Sequence, residues 1–258
     1  MAKKETKPVS DATLVTSLDT QRILLVDPSG SVQQITPENL RKAILIGGDV
    51  NDIYDNVFIM YTQNSDNYPR MVKPYKWTSL QAGGEVAQGV VVVEGGKVLV
   101  VAPTQAPSTL FWSSSNASGG GVMTADRLVA MDDWAGKANT ASQIAASTSE
   151  FVTDTDSYAP GFCNLYSRQN ANGNGLTAGR WWLPSAGELM MMYANMRKIN
   201  YALSFIANST PITEGGYWSS TEGSTAISWI LYFLNGGLIR YPKSTTRLNV
   251  RPVSAFLQ

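Results

Sequence analysis

The sequence predicts an α+β fold with short antiparallel sheets, and two segments carry this prediction. The first is GVVVVEGGKVLVV, residues 89–101, in which two β-branched runs flank a Glu-Gly-Gly-Lys turn. This pattern is typical of a β-hairpin, because glycine adopts the positive φ angles of a tight turn without strain. The second is LPSAGELMMMYANMRKINYAL, residues 183–203, in which Ser185 and Glu188 have the spacing of a capping box. Its apolar residues recur at steps of three and four, which indicates a helix with one buried face.

A second, shorter helix is predicted near residues 139–147, where Thr140 and Gln143 have the same capping-box spacing. Long segments rich in Gly, Ser and Asn, such as SSSNASGGG and RQNANGNGLTAGR, are expected to form surface loops. The predicted main domain therefore has two helices packed on short antiparallel sheets.

Three parts of the chain differ in pattern. Residues 1–48 contain a short apolar strand, a turn and a helix start at Thr36-Pro37-Glu38. Because so short a segment buries little surface alone, it predicts an attachment or oligomerisation module. Residues 49–82 combine one strand pattern with many turn formers and predict a neck or accessory β segment. Residues 83–258 form the predicted main domain.

Composition argues against several kinds of site. The 20 Lys+Arg and 20 Asp+Glu residues give no formal net charge, so no attraction to nucleic acid is expected. No segment reaches the roughly 18 consecutive apolar residues of a membrane span, and the N-terminus MAKKETKPVSDATLV lacks the apolar centre of a signal peptide. Histidine, the usual general base and zinc ligand, is absent from the sequence. We therefore expect no catalytic residue, no metal ligand, no cofactor, and production in the cytoplasm without a signal peptide.

The C-terminal segment GGYWSSTEGSTAISWILYFLNGGLIRYPKSTTRLNVRPVSAF, residues 215–256, mixes several polarity patterns. As a strand, residues 226–234 would alternate between an inner and an outer face. The inner face would carry Ile227, Trp229, Leu231 and Phe233, and the outer face Ser228, Ile230, Tyr232 and Leu234. After a turn at Asn235-Gly236-Gly237, the return strand is expected to place Ile239 inward and Leu238 and Arg240 outward. Pro242 predicts that this strand ends there or lies at an edge.

The predicted outer face and its neighbouring loops form a mixed patch rich in Tyr and Ser. Such patches resemble antibody paratopes, in which Tyr supplies contact area at small entropy cost and Ser and Gly supply adaptable hydrogen bonds. The residues of this candidate binding surface are Gly223, Ser224, Ser228, Ile230, Tyr232, Leu234, Leu238, Arg240, Tyr241, Pro242, Ser244, Thr245 and Thr246. The alternative is that both faces of the strand are buried in a two-layer domain.

Six motifs occur in order over most of residues 83–258: DDWAGKANTASQIA, GFCNLYSR, RWWLPSAGELMMMY, KINYAL, GGYWSST and VRPVSAF. They resemble the C-type-lectin-like variable proteins of diversity-generating retroelements in gut bacteria and their phages. LPSAGEL and VRPV also resemble the related group of formylglycine-generating enzymes. The first resemblance implies a C-type-lectin-like fold with a surface diversified through mutagenised AAY codons. All residues of the candidate binding surface belong to the set that such codons encode, whereas Trp218, Glu222, Trp229 and Lys243 do not.

The N-terminal motif ILLVDPSGSVQQITPENLRKAI is similar to the openings of structural and fibre proteins of tailed phages of gut bacteria. Together the resemblances imply a receptor-binding protein on the virion surface, anchored to a phage structural protein by its N-terminal module. Such proteins are commonly homotrimers, whose repeated weak contacts add up. The implied partner is a bacterial surface protein or glycan, without nucleic-acid binding or membrane insertion.

Two other functions remain open at this point. One is a cell-surface lectin or adhesin of fixed specificity, although the EPN, QPD and WND motifs of calcium-dependent lectins are absent and Asp132-Asp133 indicates loop structure or a helix cap. The other is an enzyme. Formylglycine-generating activity needs a cysteine pair, but Cys163 is the only cysteine and is predicted to be a buried, inert thiol. Glu188 and Glu222 could form an acid/base pair as in glycosidases, but Glu188 already has a capping role.

Overall fold

The computed structural model describes residues 56–256 and the backbone of two earlier strands. The chain divides into two units, residues 1–55 and 56–258. In the first unit, β1 (Ile23–Val26) and β2 (Val32–Ile35) pair in an antiparallel ladder. The helix start predicted at Thr36-Pro37-Glu38 lies outside the described residues.

The larger of the two main sheets in the second unit has five antiparallel strands in the order β12-β6-β5-β3-β4. They are β3 (Val57–Thr62), β4 (Pro69–Val72), β5 (Ala87–Glu94), β6 (Lys97–Val101) and β12 (Val253–Ser254). The predicted hairpin of β5 and β6 is confirmed. Its turn residues Gly95 and Gly96 have positive φ angles of 55° and 74°, which explains the two glycines.

Within residues 49–82, assigned from sequence to a neck or accessory β segment, β3 and β4 are part of this sheet. β3 pairs along its length with β5 and is almost wholly buried. α1 (Pro74–Ala82) follows β4, and its buried Trp77 packs against Tyr61 of β3 with a centroid distance of 5.5 Å. The turn formers that suggested a neck form the loop between β3 and β4. The second unit therefore includes residues 57–82 together with the predicted main domain.

The smaller main sheet has three antiparallel strands in the order β11-β10-β9. They are β9 (Gly216–Glu222), β10 (Ile227–Tyr232) and β11 (Gly237–Pro242). A short ladder is formed by β7 (Arg168–Gln169) and β8 (Gly175–Leu176). Every residue of β9 is buried, so this strand is the centre of the packing around the smaller sheet.

Five further helices complete the second unit: α2 (Arg127–Met131), α3 (Gly136–Ala145), α4 (Ala159–Leu165), α5 (Ala186–Ala194) and α6 (Met196–Leu203). The predicted α+β class with short antiparallel sheets is confirmed. The prediction of two helices was wrong, because the described part of this unit has six, and the single helix predicted over residues 183–203 is divided at Asn195 into α5 and α6. In the part of the chain that the structure describes, no helix is long and apolar enough to span a membrane.

The two predicted capping boxes have different outcomes. The one at α5 is confirmed, because the Ser185 hydroxyl accepts from the Glu188 N–H and the Glu188 carboxylate accepts from the Ser185 N–H. The one at Thr140 and Gln143 is wrong, because α3 begins at Gly136 and both side chains lie within the helix. They are buried and bind neighbouring backbone: the Thr140 hydroxyl accepts from the Leu183 N–H at 3.0 Å, and the Gln143 amide donates to the Ser220 carbonyl at 2.6 Å.

Each main sheet packs against its own hydrophobic cluster. The cluster at the smaller sheet includes Trp112, Trp218, Ile230 and Cys163. The predicted burial of Cys163 is confirmed, and this burial raises the pKa of its thiol well above the usual value. The cluster at the larger sheet is built around Met60, Val91, Val100, Leu176 and Trp181.

The Glu188 carboxyl makes the stability of the protein depend on pH. Burial raises its pKa to about 7 from 4.5, and the nearby Asp133 acts in the same direction. Between these values the folded state keeps a proton that the unfolded chain releases, so the free energy of unfolding should fall as pH rises. At about 1.4 kcal/mol per unit, the total loss is about 3 kcal/mol between pH 4.5 and 7.

Urea unfolding of the parent and of Glu188→Gln at several pH values measures this effect. Glutamine can still accept at the cap but does not titrate, so we expect the variant to lose this part of the pH dependence. Glu150→Gln, at an exposed position, is the control and should keep the parent slope. Equal slopes for the parent and Glu188→Gln would contradict the assignment.

Candidate binding surface

The candidate binding surface is carried by β11 and the loop that follows it. β11 lies at one edge of the smaller sheet, with β10 on its inner side. The strand ends at Pro242, so the prediction made from this proline is confirmed on both counts. An edge strand exposes more of its side chains than a central strand, and this position determines which predicted residues reach the surface.

The predicted surface residues fall into three groups by burial. Exposed positions are Leu234, Arg240, Pro242 and Thr245. Half-buried positions are Ser224, Tyr232, Tyr241, Ser244 and Thr246. Buried positions are Gly223, Ser228, Ile230 and Leu238. The structure thus brings most of the loop and edge-strand residues to the surface, but it places Ser228 and Ile230 of β10 in the interior.

The face assignment of the return strand was wrong. Arg240 lies opposite Trp229, and Leu238 lies opposite Leu231, so both share the face that was predicted to be inward. Ile239 lies opposite Ile230 and is 40% exposed instead of being inside. The strands are joined through residues 233–236 rather than 235–237. In a β-sheet, a shift of one residue in the register moves every side chain to the other face.

β10 is covered on both of its faces, as the two-layer alternative proposed. On one face Ile230 packs in the cluster that contains Trp218. On the other face the Trp229 indole N–H donates to the Thr124 carbonyl at 2.8 Å. Next to it, Phe233 packs edge-on against Tyr193 of α5 at a centroid distance of 5.7 Å. The central strand therefore serves as scaffold on both sides.

A buried ion pair joins the ends of β9 and β11 beneath this surface. The Lys243 ammonium donates to the Glu222 carboxylate, and both side chains are fully buried. Lys243 also donates to the Ala117 carbonyl at 2.9 Å and lies over the Trp112 ring at 4.3 Å. Burial lowers the pKa of Lys243, and Glu222 partly opposes this effect. The pair fixes the point at which the chain leaves β11 and enters the loop of residues 244–246.

The same carboxylate holds a glycine-rich loop in place. Glu222 accepts from the Gly119 N–H at 2.9 and 3.1 Å and from the Gly121 N–H at 3.4 Å. A Cβ at Gly119 would lie 3.0 Å from both Glu222 and Trp112, which explains the need for glycine. The segment SSSNASGGG was predicted to be a surface loop, but its Gly119 is buried against the ion pair.

The accessible side chains of the surface interact mainly by ring contacts. The Arg240 guanidinium lies over the Trp229 ring at 5.4 Å. The aliphatic part of Arg240 lies so close to Gly223 that a Cβ at this glycine would be 2.9 Å from it. Tyr232 and Tyr241 meet at 6.4 Å, and the hydrogen bond between them raises the pKa of Tyr232. The two tyrosine rings also pack against the hydrophobic cluster at the smaller sheet, so they belong partly to the scaffold, whereas Arg240 is exposed.

A cleft of about 450 Å³ lies beside this loop and was missed by sequence reasoning. It is lined by Phe111, Tyr158, Phe162 and Arg247, with Asp156 as its acidic residue. The Arg247 guanidinium lies over the Phe111 ring at 4.1 Å. The lining residues come from separate segments, so no local motif could reveal the cleft. In the sequence, the one indication of this cleft was that Arg247 directly follows Thr246, a residue of the candidate binding surface.

The carboxylates that could have formed an acid/base pair both have structural partners. Glu222 is held by Lys243 and two backbone N–H groups, and Glu188 is held by the Ser185 N–H and the Trp182 indole. The prediction of loop structure at Asp132-Asp133 is confirmed, because the Asp133 carboxylate accepts from the Ala135 N–H at 2.8 Å before α3. Among the described residues, no group of three or more His, Cys, Asp or Glu side chains could hold a metal ion.

Comparison with known proteins identifies no family. No protein-family model matches the chain. No curated protein matches it either. Among solved structures, the chain is similar to a fimbrial protein from Bacteroides ovatus ATCC 8483, with a TM-score of 0.40 and 15% identity. The similarity covers 61% of this chain and 35% of that protein, so the chain spans about a third of its length.

Removing one partner of the buried ion pair should destabilise the second unit strongly. Lys243→Met leaves the Glu222 carboxylate buried and without a countercharge, and we expect the free energy of unfolding to fall by about 3 to 5 kcal/mol. The double variant Glu222→Gln/Lys243→Met should recover part of this loss. Arg70→Met, which breaks the partly exposed Arg70–Asp66 pair, is the control and should cost less than about 1 kcal/mol. Equal losses in the two single variants, measured by urea unfolding, would contradict this account.

Exposure should determine which candidate surface positions tolerate change. Ile230→Asn places an amide in the core, and we expect it to lower the free energy of unfolding by about 3 kcal/mol or more. Arg240→Asn affects only a stacked, exposed side chain and should cost less than about 1 kcal/mol. Thermal and urea unfolding of the two variants measure the difference. If Ile230→Asn were as stable as Arg240→Asn, β10 would not be the scaffold strand described above.

Proposed function

We propose that this protein is a non-catalytic receptor-binding protein of a phage particle. Its second unit presents the β11 edge and the loop of residues 244–246 to a bacterial surface protein or glycan. One observation carries the proposal: the accessible side chains stand on a backbone that is fixed from below by the Glu222–Lys243 pair. Backbone hydrogen bonds hold the hairpin itself, so that these side chains can change while the scaffold stays the same.

The chemistry of the accessible residues suits recognition of a macromolecule. Tyr232 and Tyr241 offer large contact area with few rotatable bonds, and Ser244 and Thr245 offer hydroxyl groups. Arg240 contributes a cation that is already oriented by Trp229, which lowers the entropy cost of using it in a contact. The neighbouring cleft adds aromatic rings and both signs of charge in a concave site.

Burial divides the positions proposed to vary into two classes. Exposed and half-buried positions can accept polar, charged or aromatic residues, because the new side chains stay wholly or partly in contact with water. Ser228, Ile230 and Leu238 are buried, so diversification there would be limited to residues that keep the packing. The proposed contact surface is therefore smaller than the predicted set. It runs along the β11 edge, where Arg240 and Tyr241 point to opposite faces of the sheet, and continues into residues 244–246.

Attachment, assembly and diversification rest on sequence resemblance. The phage-like motif within residues 1–48 supports anchoring to a phage structural protein, and such proteins are commonly homotrimers. Three copies would place three surfaces on one particle and strengthen weak binding through multivalency. The ordered motifs of the second unit support a C-type-lectin-like variable protein of a diversity-generating retroelement, exposed at the virion surface.

The absence of catalytic activity is part of the proposal. Its support is the state of the candidate groups: Cys163 is buried with a raised pKa, Glu222 is fully buried against Lys243, and Glu188 caps α5. None of these side chains opens to a substrate from its present position. A nucleophile or acid/base group needs such access as well as a suitable pKa.

A lectin or adhesin of fixed specificity is the competing function. It would use the same surface without diversification, so the structure alone favours neither. Gene sequences from several isolates of one lineage separate the two. Differences concentrated at the accessible positions, beside a reverse transcriptase gene and a near-identical template repeat, support diversification, whereas uniform drift without these genes supports fixed specificity.

Cell binding tests the location of the surface. The full chain is labelled and mixed with a panel of gut bacterial strains, and bound fluorescence is measured. Arg240→Ala/Tyr241→Ala/Thr245→Ala should lower binding to the recognised strain by about tenfold or more, since contact residues of this kind often cost over 1 kcal/mol each.

The matched control is Lys76→Ala/Tyr75→Ala/Thr78→Ala on α1. It removes the same kinds of side chain, including a cation that lies over a tyrosine ring, from another surface. This control should bind like the parent. Undiminished binding by the Arg240 variant, or equal losses in both variants, would contradict the proposed surface.

A further inference from the structure

A second cleft, at the larger sheet, is built around a fully buried glutamine. It has a volume of about 260 Å³ and lies where β3, β5 and β8 meet. Its polar lining includes Thr62, Gln88 and Asn174. Its apolar lining includes Met60, Leu176 and Phe256. The cleft belongs to a different sheet from β11 and is independent of the function proposed above.

A β-bulge directs Gln88 into this cleft. In the pairing of β3 with β5, Met60 lies opposite Gly89 and Tyr61 lies opposite Ala87, so Gln88 is the extra residue. The Arg168 guanidinium donates to the Ala87 carbonyl at 3.1 and 3.2 Å and stabilises the distorted backbone. Bulges change the direction of a side chain at a defined point in a strand. Here the bulge interrupts the regular alternation of side chains along β5, and the Gln88 amide points toward the cleft.

The Gln88 amide is only partly satisfied. Its Nε2 donates to the Thr62 hydroxyl at 2.8 Å, while its Oε1 is buried without a hydrogen-bond partner. Exchanging the two amide atoms would leave the nitrogen unpaired instead, so either orientation leaves one polar atom unsatisfied. Buried polar atoms normally have partners, and an unsatisfied one is destabilising. The cleft therefore calls for a polar group supplied from outside.

The walls of the cleft are preformed by two unusual backbone positions. Gly175 has a φ of 137°, and a Cβ there would lie 2.0 Å from the Gln88 nitrogen, so only glycine allows this close approach. Asn67 has a φ of 59°, and its side-chain oxygen accepts from Asn170 and Asn172 at 3.2 Å each. These bonds tie the β3–β4 loop to the β7–β8 loop beside the cleft, which Asn67 lines.

We propose that this cleft binds one neutral, hydroxyl-rich unit of monosaccharide size. A ligand hydroxyl can donate to the Gln88 oxygen and accept from the Thr62 hydroxyl, whose own proton is not used by the Gln88 contact. The apolar side chains of Met60, Leu176 and Phe256 suit the C–H face of a sugar ring. The volume is below the roughly 300 to 1,000 Å³ typical of sites for larger ligands, which favours a single ring.

The charge of the lining agrees with a neutral ligand. Arg180 lines the cleft and no carboxylate of the described residues does, so a cationic ligand would find no counter-ion among them. An anion would place a second acceptor against the unpaired Gln88 oxygen. A hydroxyl group has a donor for this oxygen and avoids both conflicts.

Ligand-observed saturation-transfer NMR on the full chain tests the proposal. The probes are D-glucose, D-galactose, D-mannose and N-acetyl-D-glucosamine, each also as its methyl glycoside. For a ligand of about twelve non-hydrogen atoms we expect a dissociation constant on the order of 1 mM for at least one sugar. Binding of the free sugar alone indicates a soluble monosaccharide, whereas binding of both forms indicates the end unit of a glycan chain.

Three variants identify the site. Gln88→Leu removes the unpaired amide and should weaken binding by roughly tenfold or more. Asn174→Ala changes an exposed lining residue, keeps the fold, and should also weaken binding. Gln143→Leu is the matched control, since Gln143 is another buried glutamine that donates to one acceptor and has an unpaired Oε1, but it lies in α3. This control should bind like the parent.

Two outcomes would overturn the proposal. One is the absence of saturation transfer from the parent protein to every sugar tested. The other is parent-like binding by Asn174→Ala together with either parent-like binding or unfolding of Gln88→Leu. Because the cleft and the β11 surface lie in different sheets, neither outcome bears on cell binding through Arg240 and Tyr241.

Discussion

The arrangement of the smaller sheet depends on the buried contact between Glu222 and Lys243. A buried ion pair adds little net stability compared with an apolar contact of the same size, because both charges lose their water. Instead, the pair strongly destabilises every folded arrangement in which one of the two charges is buried without the other. The end of β9, the end of β11 and the backbone of Gly119 and Gly121 must therefore meet at one place. Because this contact fixes the backbone at the base of the surface, the exposed side chains of Arg240 and Thr245 have little structural role.

Local patterns predicted those elements whose cause is itself local. The β5–β6 hairpin follows from two glycines between β-branched runs, and the α5 cap follows from Ser185 and Glu188 at the right spacing. The same spacing at Thr140 and Gln143 gave a wrong prediction of a helix cap, because threonine and glutamine are equally suited to a buried polar contact inside a helix. There the tertiary partners, the backbones of Leu183 and Ser220, come from distant parts of the chain. A local pattern cannot identify such partners.

The candidate binding surface was predictable in position but not in detail. Tyrosines, arginine and proline at the end of the chain indicated an accessible edge, and most of those residues are accessible. The exposure of individual side chains depends on how residues 233–236 connect two strands, and on α5, which covers the second face of β10 through Tyr193. The two clefts and the bulge at Gln88 have no sequence motif, because each of them forms where separate segments of the chain meet. The prediction therefore failed where side-chain exposure depends on how the strands pair, because composition does not determine this pairing.

The edge position of β11 also affects how copies of the protein behave toward each other. An edge strand offers free backbone groups that another strand can pair with, and a surface open to hydrophobic change would increase that risk. Pro242 lacks an N–H and stops the strand, while Arg240 places a charge on its exposed face. An apolar substitution on this edge should therefore promote pairing between copies less than it would on an edge without the proline and the charge.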